Sequence, residues 1–166
     1  MNIVLIGYRG TGKSTIGKVL ADKLKSPLIH MDQLIVKKSD MSIPGIVEKH
    51  GWDYFRDLES DVAAEVSKMD NCIIDCGGGV ILRDENVKYL KKNGKCFLLK
   101  ADIDTVISRI HGDANRPALK KGMSFREEQE KVLKEREPKY KAAADIEIDT
   151  SLLSIDQAVE KIMENI

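Results

Sequence analysis

The sequence predicts an α/β domain in which a parallel sheet is covered by helices on both faces. Short apolar runs alternate with amphipathic stretches along all 166 residues, the rhythm of repeated strand–helix–strand units. The runs IVLI and CFLL are continuous rather than alternating, as strands buried on both sides should be. The first run also passes directly into a glycine-rich turn and then into helical periodicity.

Taken in order, five strands are expected, over 2–6, 27–30, 72–75, 95–99 and 146–148. Helices are expected over 13–25, 33–38, 43–49, 54–68, 84–92, 103–110, 125–144 and 155–164. Ile16, Val19, Leu20 and Leu24 give the first helix its apolar face. Gly77, Gly78 and Gly79 follow the third strand directly and must form a tight turn. Residues 111–123 are polar, basic and carry two glycines, so they are expected to form a mobile excursion. No repeat or linker interrupts the pattern, and one domain over 1–166 is expected.

Lys plus Arg and Asp plus Glu both number 27, so no global field favours nucleic acid or an anionic membrane. No apolar run approaches the ~20 residues of a membrane span. With no signal segment visible at the N-terminus, a cytoplasmic protein is expected. Cys72, Cys76 and Cys96 are an odd number without a metal-site pattern around them, and are expected to be buried, reduced thiols.

Gly7-Tyr8-Arg9-Gly10-Thr11-Gly12-Lys13-Ser14 satisfies G-x-x-x-x-G-K-[ST] at every defined position, between a strand and a helix. A triphosphate needs many backbone N–H groups aimed inward, and glycines let the chain wrap closely around it. The helix starting near Lys13 adds its positive end. Lys13 is placed to meet the β- and γ-phosphates, and Ser14 to offer its hydroxyl to Mg²⁺. Gly10, Thr11, Gly12 and Thr15 complete the expected nucleotide contacts.

An acceptor pocket should lie outside the carboxyl ends of the strands. Asp32, after the second strand, can accept or orient a hydroxyl proton, and Arg56 and Arg136 can clamp a carboxylate. Read alone, Asp32 is as well explained as a helix N-cap. Arg136, within the charge-rich stretch 127–141, would ordinarily be a solvated residue.

With these pieces in register, the chain resembles the shikimate kinase family over nearly its whole length. The matching residues are Gly7–Ser14, Asp32, the run Gly51-Trp52-Asp53-Tyr54-Phe55-Arg56-Asp57-Leu58-Glu59, Cys76-Gly77-Gly78-Gly79-Val80, Asn115-Arg116-Pro117 and Arg136-Glu137-Pro138-Lys139-Tyr140. The resemblance implies a five-stranded P-loop fold of the nucleoside-monophosphate-kinase type with a mobile lid at about 111–123. It implies Asp32 as the acid that holds the shikimate hydroxyls and serves as base, and Arg56 and Arg136 as the carboxylate pair. Gly78 and Gly79 are implied as backbone donors against the substrate ring, with Gly77 shaping the turn of this substrate-binding segment. Arg116 is implied as the lid arginine over the phosphates, and Arg109 as the arginine stacking on adenine. ATP and Mg²⁺ are the implied donor and metal, shikimate is the implied small-molecule acceptor, and a monomer that binds neither nucleic acid nor membrane is expected.

One departure accompanies the resemblance. The family usually carries Asp-x-Asp after the second strand, whereas this chain has His30-Met31-Asp32. An imidazole is a poor partner for hard Mg²⁺, so magnesium binding is where this chain should differ. Two other readings stand beside the first: a different small-molecule P-loop kinase, gluconate- or nucleotide-like, and a catalytically weak relative.

Overall fold

The computed structural model describes residues 1–111 and 122–166. Five parallel strands, β1 (Asn2–Ile6), β2 (Leu28–His30), β3 (Ile73–Asp75), β4 (Gly94–Lys100) and β5 (Ile146–Asp149), form one sheet in the order β2-β3-β1-β4-β5. The first strand is therefore central. Ile3, Val4 and Leu5 pair with Ile73, Ile74 and Asp75 on one side, and with Lys95, Cys96 and Phe97 on the other.

Eight helices are described: α1 (Lys13–Leu24), α2 (Met31–Ser39), α3 (Ile43–His50), α4 (Trp52–Val66), α5 (Asp84–Lys92), α6 (Ile103–Ile110), α7 (Phe125–Ala143) and α8 (Ile155–Met163). The continuous apolar strands feed two separate cores. Ile3, Leu5, Phe97 and Leu99 point to one face, where Ile16 and Leu20 of α1 meet Val159 and Ile162 of α8. Val4, Ile6, Cys96 and Leu98 point to the other, against apolar residues of α2 through α7. Successive strand side chains alternate between faces, so a sheet covered on both sides needs apolar residues at every position.

Helix ends follow local chemistry. Ser42, Asp102, Ser124 and Ser154 accept hydrogen bonds from backbone N–H groups in the first turns of α3, α6, α7 and α8, and Ser154 with Gln157 forms a capping box. Helix α1 has no side-chain cap; it starts after Gly12, whose φ of 95° is a left-handed conformation suited to glycine. Its first N–H groups are thus left to face a ligand.

The expected elements are present with shifts at their ends. Helix α2 begins at Met31 rather than 33, because the chain turns helical immediately after His30. Asp32 consequently sits inside the first turn, where a negative charge suits the helix dipole, and is not the N-cap. A 3-10 turn over Val80–Leu82 was not anticipated; Val80 N donates to the Gly77 carbonyl, and Asn86 Nδ2 holds the Val80 carbonyl at 3.0 Å. All three cysteines are free and buried, and burial pushes the Cys96 thiol up to about 12. Among the described residues no helix is long and apolar enough to cross a membrane. Apart from its ends, the expected lid over 111–123 lies outside the described residues.

Phe97 is fully buried in the α1–α8 core, whereas Leu152 is 84% exposed. Phe97→Ala should cost about 3–5 kcal/mol of stability and Leu152→Ala less than about 0.5 kcal/mol, read from urea midpoints at unchanged slope.

Candidate active site

The carboxyl ends of β1, β2 and β3 open into two adjoining spaces. The larger, about 480 Å³, is lined by Gly10, Gly12, Lys13, Ser14 and Thr15 of the loop, together with His30, Asp32, Asp75 and Arg109. A Cβ on Gly7 would fall 2.2 Å from the Leu99 carbonyl oxygen, so the loop can pass the end of β4 only with glycine there. Lys13 is nearly buried and its Nζ donates to the carbonyls of Gly7 and Tyr8 at 2.8 and 2.9 Å. The ammonium is thereby held over the bowl of the loop. The Thr11 side chain turns inward to the Tyr8 carbonyl, 2.7 Å away, and its own carbonyl accepts from Thr150 Oγ1.

Arg109 donates to the carbonyls of Gly10 and Thr150 and to Thr150 Oγ1. It borders a side slot of about 160 Å³ that continues past Thr15 to Leu153 and Ile155. A flat guanidinium facing apolar side chains is suited to a planar heteroaromatic ring.

The second space is a narrow recess of about 40 Å³ bounded by Tyr8, Arg9, Asp32, Trp52, Arg56, Glu59, Gly77, Gly78, Gly79 and Arg136. Asp32, Arg56 and Arg136, from three separate helices, meet here. The triple-glycine turn allows it. A Cβ on Gly79 would lie 2.2 Å from Arg56 Nη1, and one on Gly77 would lie 2.9 Å from Asp32 Oδ1 and 3.0 Å from Glu59 Oε2. Arg136 Nη1 would be 3.6 Å from a Cβ on Gly78.

Arg136 is 9% exposed, which overturns its ordinary reading as a solvated residue. It falls on the stripe Glu128, Val132, Arg136, Tyr140 that α7 turns inward at four-residue spacing. Tyr140 donates to the Gly78 carbonyl and so ties α7 to the glycine turn. Salt bridges occupy the other face of this helix, Arg126 to Glu130 at 2.9 Å and Lys141 to Glu137 at 3.1 Å.

Three residues of the site were not singled out from the sequence. Glu59, 1% exposed, accepts from Arg56 at 2.9 Å; burial pushes its carboxyl up while Arg56 pulls it down, and the net direction is upward. Its signal was an acid on the inward stripe of α4, between Phe55 and Val62. Asp75 accepts from Ser14 Oγ at 2.6 Å and lies 2.8 Å from His30 Nδ1. Its signal was an acid ending a buried strand, just before the glycine turn. Arg9 borders both spaces; nothing in its sequence context distinguishes it. Arg116 lies outside the described residues.

The donor set fits a hard divalent cation: a hydroxyl and a carboxylate meet on the wall of a polar cavity. Among the described residues no three His, Cys, Asp or Glu side chains gather into a cage. An ion here would complete its shell with phosphate and water.

Comparison with known proteins agrees with this geometry. The shikimate kinase family model matches residues 9–166. The shikimate kinase of Caldicellulosiruptor bescii is 43% identical over 162 residues, covering 98% of this chain and 93% of the relative. That of Thermodesulfovibrio yellowstonii is 40% identical over 164 residues, with 98% and 93% covered. Among solved structures, the shikimate kinase from Acinetobacter baumannii in complex with shikimate superposes with a TM-score of 0.93 at 31% identity, covering 99% of this chain and 91% of that one. The deoxyadenosine kinase from M. mycoides with bound dATP, at 20% identity and a TM-score of 0.65 over 99% and 98% of the two chains, shares the fold. A glycine-rich loop that fits the phosphate-loop pattern, a recess lined by two arginines and a match to one family over residues 9–166 converge: the chain belongs to the shikimate kinase family.

Proposed function

We propose that the protein transfers the γ-phosphoryl group of ATP to the 3-hydroxyl of shikimate, giving shikimate 3-phosphate. The observation that carries this reading is the position of Asp32, which borders both the phosphate cavity and the arginine-lined recess. A hydroxyl held at Asp32 from the recess side faces the loop that would hold the triphosphate.

In this reading the backbone of residues 10–15 cradles the phosphates, the slot beside Arg109 takes adenine, and Lys13 neutralises charge on the moving phosphoryl group. Magnesium, held at Ser14, would neutralise charge shared by the β- and γ-oxygens. Arg136 and Arg56 grip the acceptor carboxylate by paired N–H donors, and Asp32 orients the 3-hydroxyl and takes its proton as the new O–P bond forms. The narrow recess and the glycine turn hold the ring close, which places the nucleophile in line. Arg116, which lies outside the described residues, belongs to this proposal as a further cation for the phosphates. Two convergent guanidinium groups favour a small carboxylate acceptor over a nucleotide, which needs room for a base. We also take the protein to act as a monomer.

A coupled ADP assay over a panel of hydroxy acids, sugars and nucleotides tests the assignment. Turnover with shikimate is expected, and turnover with another acceptor in its place would overturn it. Arg136→Ala should raise the Michaelis constant for shikimate about ten- to a hundredfold, the worth of a lost charged hydrogen bond, while ADP binding by calorimetry is retained. Asp32→Asn should lower kcat by about 10²–10⁴-fold in the same assay, again without loss of ADP binding.

A further inference from the structure

We propose that Asp75 supplies the protein carboxylate of the magnesium shell, and that His30 is the positioning residue that holds it there. The inference deepens the kinase reading and rests on it for the presence of a metal-bound nucleotide.

The placement follows from strand register. His30 and Asp75 are direct partners in the parallel β2–β3 pair, and both side chains reach the wall of the phosphate cavity. It is β3, not β2, that adjoins β1 and its loop. Neighbouring strands are about 4.8 Å apart, so a carboxylate at position 75 lies one strand nearer the loop than one at position 30. It is near enough for Ser14 Oγ to donate to Oδ2 at 2.6 Å. The hydroxyl expected to bind the cation and this carboxylate are therefore already in contact; a cation held by a lone pair of the hydroxyl would meet Asp75, directly or through a water, once the hydroxyl proton turns aside.

The imidazole has a different task from the aspartate that the resemblance expects at its position. A carboxylate accepts only, so His30 must donate from Nδ1 across the 2.8 Å contact. That bond fixes the rotamer of Asp75, whose side chain is 8% exposed. An aspartate at position 30 would instead set two like charges at paired strand positions, which destabilises a sheet. A nearly buried carboxylate served by a hydroxyl and an imidazole also carries negative charge that a divalent cation would match. Imidazole is thus not a failed magnesium ligand here but the support of an oxygen ligand.

The test measures metal binding without the acceptor, so that a wrong acceptor assignment cannot be confused with a wrong metal assignment. Mn²⁺, which shares magnesium's preference for oxygen donors, is titrated into the protein–ADP complex and followed by electron paramagnetic resonance. Metal-free ADP affinity and cooperative thermal unfolding report on integrity. Asp75→Asn, close in shape, should weaken Mn²⁺ binding to the ADP complex by about tenfold or more with metal-free ADP affinity retained. His30→Ala should weaken it by about tenfold, and His30→Asn, whose amide can donate from the place of Nδ1, should recover most of the loss. Wild-type Mn²⁺ affinity in Asp75→Asn would overturn the carboxylate assignment. Wild-type affinity in His30→Ala, or no recovery in His30→Asn, would overturn the positioning role.

Discussion

The site depends on the crossover that leaves β1 between β3 and β4. A parallel sheet brings all its carboxyl ends to one edge, and a central first strand puts the phosphate loop in the middle of that edge. Asp75 then arrives from one neighbour, while the end of β4 closes against Gly7 from the other. Helices α2, α4 and α7 pack on one face of the sheet and deliver Asp32, Arg56 and Arg136 to the same corner. Were the order of β3 and β4 exchanged, the glycine turn and the paired arginines would lie across the loop from Asp32.

The guanidinium groups at that corner are held by an acid and by aromatic rings. Arg56 lies against Glu59 and over the rings of Trp52 and Phe55, its Cζ 5.2 Å from each centroid. Arg136 sits on the inward stripe of α7, close to the Tyr140 phenol, whose ionisation burial pushes up to about 12. Desolvated guanidinium groups are costly unless paired, but once held they recognise a carboxylate strongly. The glycines of the turn matter for the same reason, because side chains there would displace the very groups that make the recess positive.

Much of this was legible in the residues. Continuous apolar runs identified the strands, since burial on two faces leaves no polar position, and the loop pattern pointed to the residues that line the larger cavity. The boundary of α2 was misread because Asp32 resembles a cap; whether a first-turn acid caps or merely follows the cap depends on the preceding backbone angle, which composition does not encode. Glu59 and Asp75 were missed for a related reason. Glu59 stands among other charged residues and Asp75 at the end of an apolar strand, and the meaning of each comes from partners 3 and 61 positions away, Arg56 and Ser14. The burial of Arg136 was hidden by the charge of its neighbours, which lie on the outer face of the same helix.

Trp52 is the one tryptophan of the chain, and it lines the recess, edge-on to Phe55 and with the Arg56 guanidinium over its ring. Indole emission responds to the charge and hydration of its surroundings, so an anion drawing the guanidinium away from the ring would change the protein's ultraviolet fluorescence. The fold thus carries an intrinsic optical reporter of anion occupancy in the recess, free of interference from any second indole.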